Sequence, residues 1–271
     1  MTLANTPTPH HVDFLILGAG WTSTFLLPVL DSHNITHAAT TRAGSPTTIA
    51  FNFDPESTDP TPYNALPSAT TVLIAFPIKV TGGTKRLVDL YTSTHPGSSP
   101  RFIQLGTSSV WNAPGTSTRH TAIDPTHERG IAETELLSLG GCVLNLSGLW
   151  GGARSPQGWV SRVADSKEKL AGKGSLHLIH GEDVTAAVVA VHGCWEEARG
   201  QRWLLTDMRS YDWWDLALAW GTEEHKRWVM QLLEERGTGV LPRSVEEKGR
   251  ALDSSEFWRV FRIWPQECLL I

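Results

Sequence analysis

The chain has 271 residues, 19% of them charged, and a formal net charge of −5 at pH 7. Its length predicts one large α/β domain or a domain with a small appendage, and its charge gives no support for nucleic-acid binding. No apolar run is long enough to cross a membrane, and three widely spaced cysteines disfavour a disulfide framework. We therefore expect a cytoplasmic protein without nucleic-acid or membrane partners.

The predicted elements alternate between strands and helices along the first half of the chain. An apolar strand over residues 12–17 ends in the turn Gly18-Ala19-Gly20, and a helix follows around residues 21–32. Such alternation is typical of a right-handed, parallel, doubly wound sheet of the Rossmann type, so the predicted fold class is α/β. The remaining predicted strands are 36–41, 48–53, 70–76, 101–105 and 142–146, the helices are 83–93 and 126–139, and the long loops are 54–67 and 112–125.

The turn after the first strand is the strongest sign of a ligand site. Gly18 permits a tight turn, and Gly20 permits the backbone to approach a pyrophosphate at the N-terminus of the helix, beside Trp21 and Thr22. Ser23 stands where a third glycine would complete the motif. These residues are predicted to bind a dinucleotide. The alternative is a flavodoxin-like turn that binds another ligand.

Three regions follow from this pattern. Residues 1–11 are predicted to form a flexible or disordered tail, residues 12–150 the NAD(P)-binding Rossmann core, and residues 151–271 a smaller mixed region that faces the substrate. Segment 181–206 of the last region is expected to return partly to the core. The boundary is placed where the spacing of the elements widens and tryptophans become frequent.

The end of the second predicted strand indicates which dinucleotide binds. In NAD-binding folds a carboxylate about 20 residues past the glycine turn holds the ribose 2′-hydroxyl, but Ala39-Thr-Thr-Arg42 contains no acid. Thr41 and Arg42 offer a hydroxyl and a positive charge that suit a 2′-phosphate, so NADP is expected ahead of NAD. The alternative for Arg42 is a solvent-exposed loop residue. Phe76 and Pro77 are expected to line the adenine or ribose side.

Five segments, in sequence order, resemble the short-chain dehydrogenase/reductase superfamily, in particular its extended and atypical NAD-dependent epimerase/dehydratase branch. Together they cover nearly the whole chain. The resemblance implies a Rossmann fold, a nicotinamide dinucleotide and a catalytic Ser or Thr at the end of the fifth strand. The segments are the glycine turn and residues 102–112, 144–151, 178–184 and 203–207.

The catalytic residues that the resemblance implies are incomplete. Thr107 lies where the family has its Ser or Thr, but residues 124–133 contain neither residue of the family's Tyr-x-x-x-Lys motif. His127 is a candidate for the missing acid or base, and Arg129 for the positive charge near the ribose. The alternative, which the sequence favours, is that His127 is an exposed residue of a helix start.

Two classes of function remain open. The first is an NADP-dependent oxidoreductase or epimerase that acts on a small carbonyl or sugar-like substrate through Thr107 and His127. The second is a non-catalytic NADP-binding protein that senses the cofactor or regulates a partner, and the missing Tyr and Lys favour it. His180, Glu182 and Asp183 are expected to cap a helix, so no metal is expected.

Overall fold

The structure, a computed structural model, describes residues 10–269 and divides into two compact units. The first unit contains residues 10–110, 124–145 and 185–203, and the second contains residues 111–123, 146–184 and 204–269. Both units are therefore discontinuous in sequence. Of the predicted N-terminal tail, residues 1–9 lie outside the described part, and His11 already begins the first strand.

Most strands of residues 10–269 are short, and the longest three form the middle of the main sheet. In chain order the strands are β1 (His11–Leu17), β2 (His37–Thr41), β3 (Ile49–Ala50), β4 (Ser68–Ile74), β5 (Arg101–Thr107), β6 (Gly115–Ser117), β7 (Cys142–Leu146), β8 (Gly148–Trp150), β9 (Ser175–Leu176), β10 (Leu178–His180), β11 (Arg202–Leu205), β12 (Tyr211–Asp212) and β13 (Arg250–Leu252).

The helices range from one turn to fourteen residues. They are α1 (Ser23–Ser32), α2 (Gly83–Thr94), α3 (Glu128–Ser138), α4 (Val160–Val163), α5 (Lys167–Ala171), α6 (Gly181–Gly193), α7 (Trp195–Ala198), α8 (Trp213–Trp220), α9 (Glu223–Arg236), α10 (Val245–Lys248) and α11 (Ser255–Phe261). Short 3₁₀ helices cover Thr61–Ala65, Ser108–Val110 and Pro156–Trp159. No helix within residues 10–269 has the length and apolar character that crossing a membrane requires.

The main sheet has seven parallel strands in the order β3, β2, β1, β4, β5, β7, β11. The register places Phe14 of β1 opposite His37 of β2 and Thr71 of β4. Continuous apolar runs such as residues 14–17 are buried because helices cover both faces of a parallel sheet. This arrangement confirms the predicted α/β fold class with a Rossmann-type sheet.

The core of the first unit lies between the sheet and its helices. Leu15 and Val72 of the central strands are fully buried there, together with Leu87 of α2 and Leu136 of α3. Each fully buried aliphatic side chain contributes about 1.5–3 kcal/mol relative to an exposed one. This packing fixes the carboxyl ends of β1, β4 and β5, where the predicted site residues lie.

Two predicted elements differ from the structure. The predicted strand over residues 48–53 is reduced to β3, because Phe51 and Phe53 leave the sheet and line a cavity instead. The predicted loop over residues 112–125 contains β6, which pairs with β13 in parallel. A strand of three small polar residues, Gly115 to Ser117, has no apolar periodicity by which a sequence pattern would reveal it.

The second unit is built around tryptophans and one buried ion pair. Trp214 is fully buried, and the guanidinium of Arg243 lies 3.8 Å from the centre of its ring. Arg243 also donates to the carboxylate of Asp212 at 2.6 Å, while both side chains are almost completely buried. Asp212 in turn caps α8 by accepting from the N–H of Trp214. Each buried charge thus has its partner, which burial of an ion pair requires.

Candidate functional site

The predicted glycine turn lies at the carboxyl end of β1, near the centre of the sheet. Gly18 follows the strand directly and has a φ of +91°, a conformation that residues with a Cβ rarely adopt. A Cβ on Gly18 would also lie 2.9 Å from Cδ1 of Phe76. The fold itself therefore requires glycine at this position, as the tight turn between β1 and α1.

Gly20 has no such structural reason to be glycine. Its φ is not positive, and the nearest heavy atom to a Cβ built on it is the carbonyl oxygen of Gly18, at 4.0 Å. Within residues 10–269, the backbone N–H groups of Gly20 and Thr22 donate to no acceptor. Open space beside two available donors at the N-terminus of α1 is the arrangement that a pyrophosphate needs.

Thr40 of β2 holds this turn in place. Its hydroxyl oxygen accepts from the N–H of Gly18 at 3.0 Å, its carbonyl oxygen accepts from the N–H of Ala19 at 2.6 Å, and the residue is fully buried. The hydroxyl of the next residue, Thr41, lies 2.9 Å from that of Thr48. Both threonines therefore have protein partners, and Arg42 is the exposed polar residue at the end of this strand.

A cavity of about 370 Å³, here called the first cavity, lies beside the turn. Phe53 and Phe76 form an aromatic wall, with ring centres 5.5 Å apart and planes inclined by 24°. Arg42 and Lys79 also line this cavity, and none of the described residues that line it is acidic. An aromatic wall with two cations suits a ligand that carries a flat ring and phosphate groups.

A second cavity, of about 480 Å³, lies at the start of α3. It shares Pro77 and Lys79 with the first cavity, so the two are adjacent. Lys79 Nζ lies 3.9 Å from Oε2 of Glu128, and both side chains are largely exposed, so this ion pair is weak. An elongated ligand has a path from the glycine turn to α3 past these residues. The other residues that line the second cavity are Ser109, His127 and Arg129.

Three side chains form a hydrogen-bonded chain after β5. The hydroxyl oxygens of Thr107 and Ser109 are 2.9 Å apart, and Ser109 Oγ lies 3.0 Å from Nε2 of His127. Thr107 is half-buried and does not line the second cavity, but Ser109 connects it to His127 there. The structure thus brings together the two residues that the sequence predicts for catalysis, through a third that it does not.

His127 is the N-cap residue of α3. Its Nδ1 accepts from the backbone N–H of Gly130 at 3.3 Å, a task that Ser, Thr, Asp or Asn usually performs. The neutral ring then carries its proton on Nε2 and donates it to Ser109. His127 therefore has a defined structural role at the helix start, and a catalytic role for it stays a prediction.

Buried Glu133 of α3 holds the backbone of Thr107. Glu133 Oε1 accepts from the N–H of Thr107 at 3.0 Å, and Oε2 accepts from Asn145 at 2.7 Å and from Arg202 at 2.5 Å. Asn145 also donates to the carbonyl oxygen of Thr107 at 2.9 Å. Glu133 lies four residues after Arg129 on α3. Its carboxylate, however, is bound by the protein itself.

Arg129 brings a positive charge to the second cavity. Its guanidinium donates to the carbonyl oxygen of Leu105 at 3.2 Å, and its buried Nε has no partner within residues 10–269. Burial lowers the pKa of Arg129, and the charge of Glu133 acts in the opposite direction. The arginine remains a cation at any physiological pH.

Most of the predicted binding residues lie around the two cavities. Lys79, which the sequence analysis did not identify, lines both cavities. It stands two residues after Pro77 in the loop after β4. Its position past a strand end is the signal that would have found it, because ligands bind at the carboxyl ends of parallel strands. Gly18, Arg42, Phe76 and Pro77 line the first cavity, Gly20, Trp21 and Thr22 form the turn, and Thr41 ends β2.

The three residues at the start of α6 have structural partners. His180 Nδ1 accepts from the N–H of Glu182 at 3.3 Å, as expected of a helix cap. The Asp183 carboxylate instead accepts from the N–H groups of Gln266 at 2.7 Å and Glu267 at 3.2 Å. Across residues 10–269, no three or more His, Cys, Asp or Glu residues are arranged to hold a metal ion.

No protein-family model matches this chain, and no curated protein sequence does. Solved structures match it over almost its whole length. A short-chain dehydrogenase/reductase superfamily protein from Agrobacterium tumefaciens with bound NAD is 13% identical, with a TM-score of 0.64 over 96% of this chain and 93% of that one. MoeE5 in complex with UDP-glucose and NAD is 16% identical, with a TM-score of 0.63 over 95% and 94%.

A third structure is a protein from Methylobacillus flagellatus assigned to the NAD-dependent epimerase/dehydratases. It is 14% identical, with a TM-score of 0.63 over 92% of this chain and 91% of that one. At such identities the likeness concerns the fold, and function has to be argued from the site. The chain therefore has the same fold as these NAD-dependent epimerase/dehydratase and short-chain dehydrogenase/reductase structures.

Proposed function

We propose that this protein binds NADP(H) in the first cavity and acts on a small carbonyl or sugar-like substrate beside Thr107, as an oxidoreductase or an epimerase. The observation that carries the proposal is Gly20, a glycine that the fold does not need, next to two available N–H donors at the N-terminus of α1. Structural neighbours that hold NAD support a nicotinamide dinucleotide as the ligand.

The residues present suit this ligand along its whole length. The turn at Gly20 leaves room for the pyrophosphate, and Arg42 offers an exposed cation for a 2′-phosphate. Phe76 and Pro77 line the ribose or adenine side, and Arg129 stands at the other end, in the second cavity. A bound nicotinamide supplies hydride chemistry, and the protein's part is to orient the two reactants.

Thr107 is the residue that would hold the substrate oxygen. It ends β5, and its hydroxyl oxygen is held in place 2.9 Å from that of Ser109. With neither tyrosine nor lysine on α3, the proton for that oxygen has to come from water, His127 or an acid such as Glu128, which lines the second cavity.

A second candidate function is NADP binding without catalysis, as a sensor or regulator. It is favoured by a specific observation on α3: the ring of His127 caps the helix, and Glu133 is buried against Arg202. Neither is then available as the acid or base that the family's motif supplies. Incubation with NADPH or NADP⁺ and a panel of small ketones, aldehydes and sugar nucleotides separates the two functions, because only the first forms product. An oxidoreductase changes the NADPH absorbance, whereas an epimerase regenerates its cofactor and is detected by conversion of the sugar nucleotide to its epimer.

We expect the unmodified protein to bind NADPH more tightly than NADH, and Arg42→Ala to remove this preference. A charge-assisted hydrogen bond contributes about 1.5–3 kcal/mol, so NADPH affinity should fall about ten- to a hundredfold. NADH affinity should change little, because NADH has no 2′-phosphate. Isothermal titration calorimetry measures both affinities. The control Arg227→Ala removes the same charge from an exposed site on α9 and should have no effect. Equal affinities in the unmodified protein would contradict the NADP assignment.

Once a substrate is found, we expect Thr107→Val to reduce kcat by about 10²–10³, the usual cost of removing one donor to a reacting oxygen. NADPH affinity should be unchanged, since the substitution preserves the size of the side chain. Thr126→Val is the matched control, because its hydroxyl bonds to Asp124 on the same loop. Full activity of Thr107→Val would show that the substrate oxygen lies elsewhere.

A further inference from the structure

Arg129 lines the second cavity and has few partners in the protein. Its guanidinium carries five N–H groups, yet within residues 10–269 its one hydrogen bond runs from Nη2 to the carbonyl oxygen of Leu105, at 3.2 Å. Its Nε is buried without an acceptor, and no carboxylate of this range forms an ion pair with it. Native proteins leave few buried donors unpaired, so an unpaired one beside a cavity points to a ligand there.

The carboxylate whose charge acts on Arg129 is already paired with another arginine. Glu133 lies one turn along α3 from Arg129 and favours its charged form. Its Oε2, however, pairs with Arg202 Nη1 at 2.5 Å, and its Oε1 accepts from a backbone N–H. Two guanidinium groups therefore share one carboxylate, which leaves these three side chains with one positive charge. The other charges that line the second cavity, Lys79 and Glu128, are opposite and pair with each other.

A monoanion with two oxygen atoms suits this remaining charge. A carboxylate accepts from a guanidinium through two parallel N–H···O bonds, and its single charge equals the one that the three side chains leave uncompensated. The ribose of a dinucleotide, which is the partner that the sequence suggests for Arg129, offers neutral hydroxyl groups and would leave that charge as it is. A phosphate dianion brings one negative charge more than the three side chains can compensate.

We propose that Arg129 binds a carboxylate in the second cavity, and that the substrate is therefore a carbonyl compound that carries a carboxylate, such as an oxo acid. The carbonyl part rests on the proposed function, whereas the carboxylate site does not. Ser109 and His127 line the same cavity, and Ser109 Oγ lies 2.9 Å from the hydroxyl oxygen of Thr107. A ligand held at Arg129 thus shares its cavity with the side chains that lead to Thr107.

The first test measures the carboxylate site without any carbonyl chemistry. The full chain is titrated at neutral pH with pentanoate and with pentanamide, which has the same shape and no charge, by ligand-observed NMR. We expect pentanoate to bind about ten- to a hundredfold more tightly, the usual effect of a hydrogen bond between charged groups. Arg129→Gln, whose amide can still donate to Leu105, should abolish this preference. Arg227→Gln removes an exposed arginine of α9 and should preserve it.

A second variant keeps the test independent of folding. Arg129→Lys retains the charge but lacks the planar pair of donors, so it should bind pentanoate more weakly than the unmodified protein and still prefer it to pentanamide. Circular dichroism shows whether each variant is folded. A folded Arg129→Gln protein that binds pentanoate as tightly as the unmodified protein would overturn the inference. Equal pentanoate affinity of Arg129→Lys and the unmodified protein would also contradict a guanidinium site.

A phosphate group of the dinucleotide is the other source of an anion for Arg129, and competition distinguishes it from a substrate. If Arg129 bound the cofactor, Arg129→Gln would weaken NADP⁺ binding, and saturating NADP⁺ would displace pentanoate. We expect neither effect: calorimetry should give the same NADP⁺ affinity for both proteins, and pentanoate should still bind the NADP⁺-loaded protein. Displacement of pentanoate by NADP⁺, or tighter binding of inorganic phosphate than of pentanoate, would overturn the carboxylate assignment.

The last comparison tests the substrate class with ligands of five carbon atoms. The NADP⁺-loaded protein, which has no hydride to transfer, is titrated with 2-oxopentanoate, 4-oxopentanoate and neutral 2-pentanone. We expect at least one of the two acids to bind about tenfold or more tightly than 2-pentanone, and equal affinities would overturn the class. If NADP⁺ fails to bind while pentanoate binds through Arg129, the proposed function fails and the carboxylate site stands. If NADP⁺ binds but pentanoate has no advantage over pentanamide, the carboxylate site fails and the proposed function stands.

Discussion

We expect Gly20→Val to fold like the unmodified protein and to lose about ten- to a hundredfold in NADPH affinity. The fold tolerates a side chain here, because a Cβ would meet no heavy atom closer than 4.0 Å and the backbone needs no positive φ. The branched side chain would instead occupy the space that a pyrophosphate needs. Forcing extra atoms into a filled site costs about 1–3 kcal/mol, which corresponds to about ten- to a hundredfold in affinity.

Two further variants make this result specific. Gly239→Val places the same side chain in a loop of the second unit where nothing lies within 4 Å, and it should bind NADPH normally. Gly18→Ala should lower the melting temperature as well, because its φ of +91° and the contact with Phe76 strain any Cβ. Circular dichroism and calorimetry measure fold and affinity. A folded Gly20→Val protein with unchanged affinity would show that the dinucleotide binds elsewhere.

The second prediction with a large expected effect concerns stability. We expect Asp207 of the second unit to increase the free energy of unfolding at acid pH. Asp207 is fully buried, and the hydroxyl of Tyr211 donates to it at 2.6 Å. Burial raises its pKa from 3.8 to about 6, against the hydrogen bonds from Tyr211 and Arg209. The folded protein therefore binds a proton that the unfolded chain releases, so stability from this group is gained below pH 6 and lost as pH rises through 6.

His177 should have the opposite effect in the same unit. It is buried, and its Nε2 accepts from the N–H of Leu252 at 3.0 Å. Burial lowers its pKa from 6.5 to about 4, and the charges of Arg250 and Lys248 act in the same direction. The stability from this group is present above pH 6.5 and is lost as pH falls through 4, because protonation favours the unfolded chain.

The pKa of Asp207 is raised and that of His177 is lowered by similar amounts, each equivalent to about 3 kcal/mol. Their contributions to the unfolding free energy therefore nearly cancel as the pH falls from about 7 to about 4. Substituting one of the two residues therefore leaves the pH dependence of the other without compensation. As the pH falls from about 7 to about 4, Asp207→Asn should lose about 3 kcal/mol of unfolding free energy relative to the unmodified protein. His177→Gln, whose amide oxygen can accept from Leu252, should gain a similar amount. Urea unfolding at several pH values, followed by tryptophan fluorescence, measures these differences.

The matched control is Glu224→Gln, which removes an exposed carboxylate of α9 from the same unit. Its curve of unfolding free energy against pH should run parallel to that of the unmodified protein. If the curves of Asp207→Asn and His177→Gln were also parallel to it, the titrations of these two groups would not be coupled to folding.

The elements that sequence patterns predict well are those whose pattern is local. β1, α1 and the glycine turn between them follow from an apolar run, two glycines and a helix-forming stretch, all within residues 11–32. β3 shows the limit of this reasoning. Phe51 is buried in the core of the first unit and Phe53 packs against it, and both also line the first cavity, outside any strand. A sequence pattern does not distinguish such residues from those of a strand.

The sequence predicts those site residues whose role depends on their own chemistry. It does not predict those whose role depends on contacts with residues distant in sequence. Arg42 follows from the lack of an acid at one strand end. The link from Thr107 to His127 passes through Ser109, which stands 18 residues before His127, and depends on the orientation of these side chains. The ion pair of Glu133 with Arg202 joins positions 69 residues apart, so no local pattern contains it.

The C-terminal partners of Asp183 have a consequence for the order in which the protein forms during synthesis. The ribosome makes Asp183 83 residues before Gln266 and 84 before Glu267, and Tyr211 58 residues before Leu269, whose N–H donates to its hydroxyl at 3.0 Å. Until those late residues emerge, the Asp183 carboxylate and the Tyr211 hydroxyl lack these backbone donors, whereas the first unit has its last segment by Trp203. Nascent chains stalled before Gln266 emerges should therefore resist protease in the first unit and be cleaved in the second, since domains fold as their segments become available.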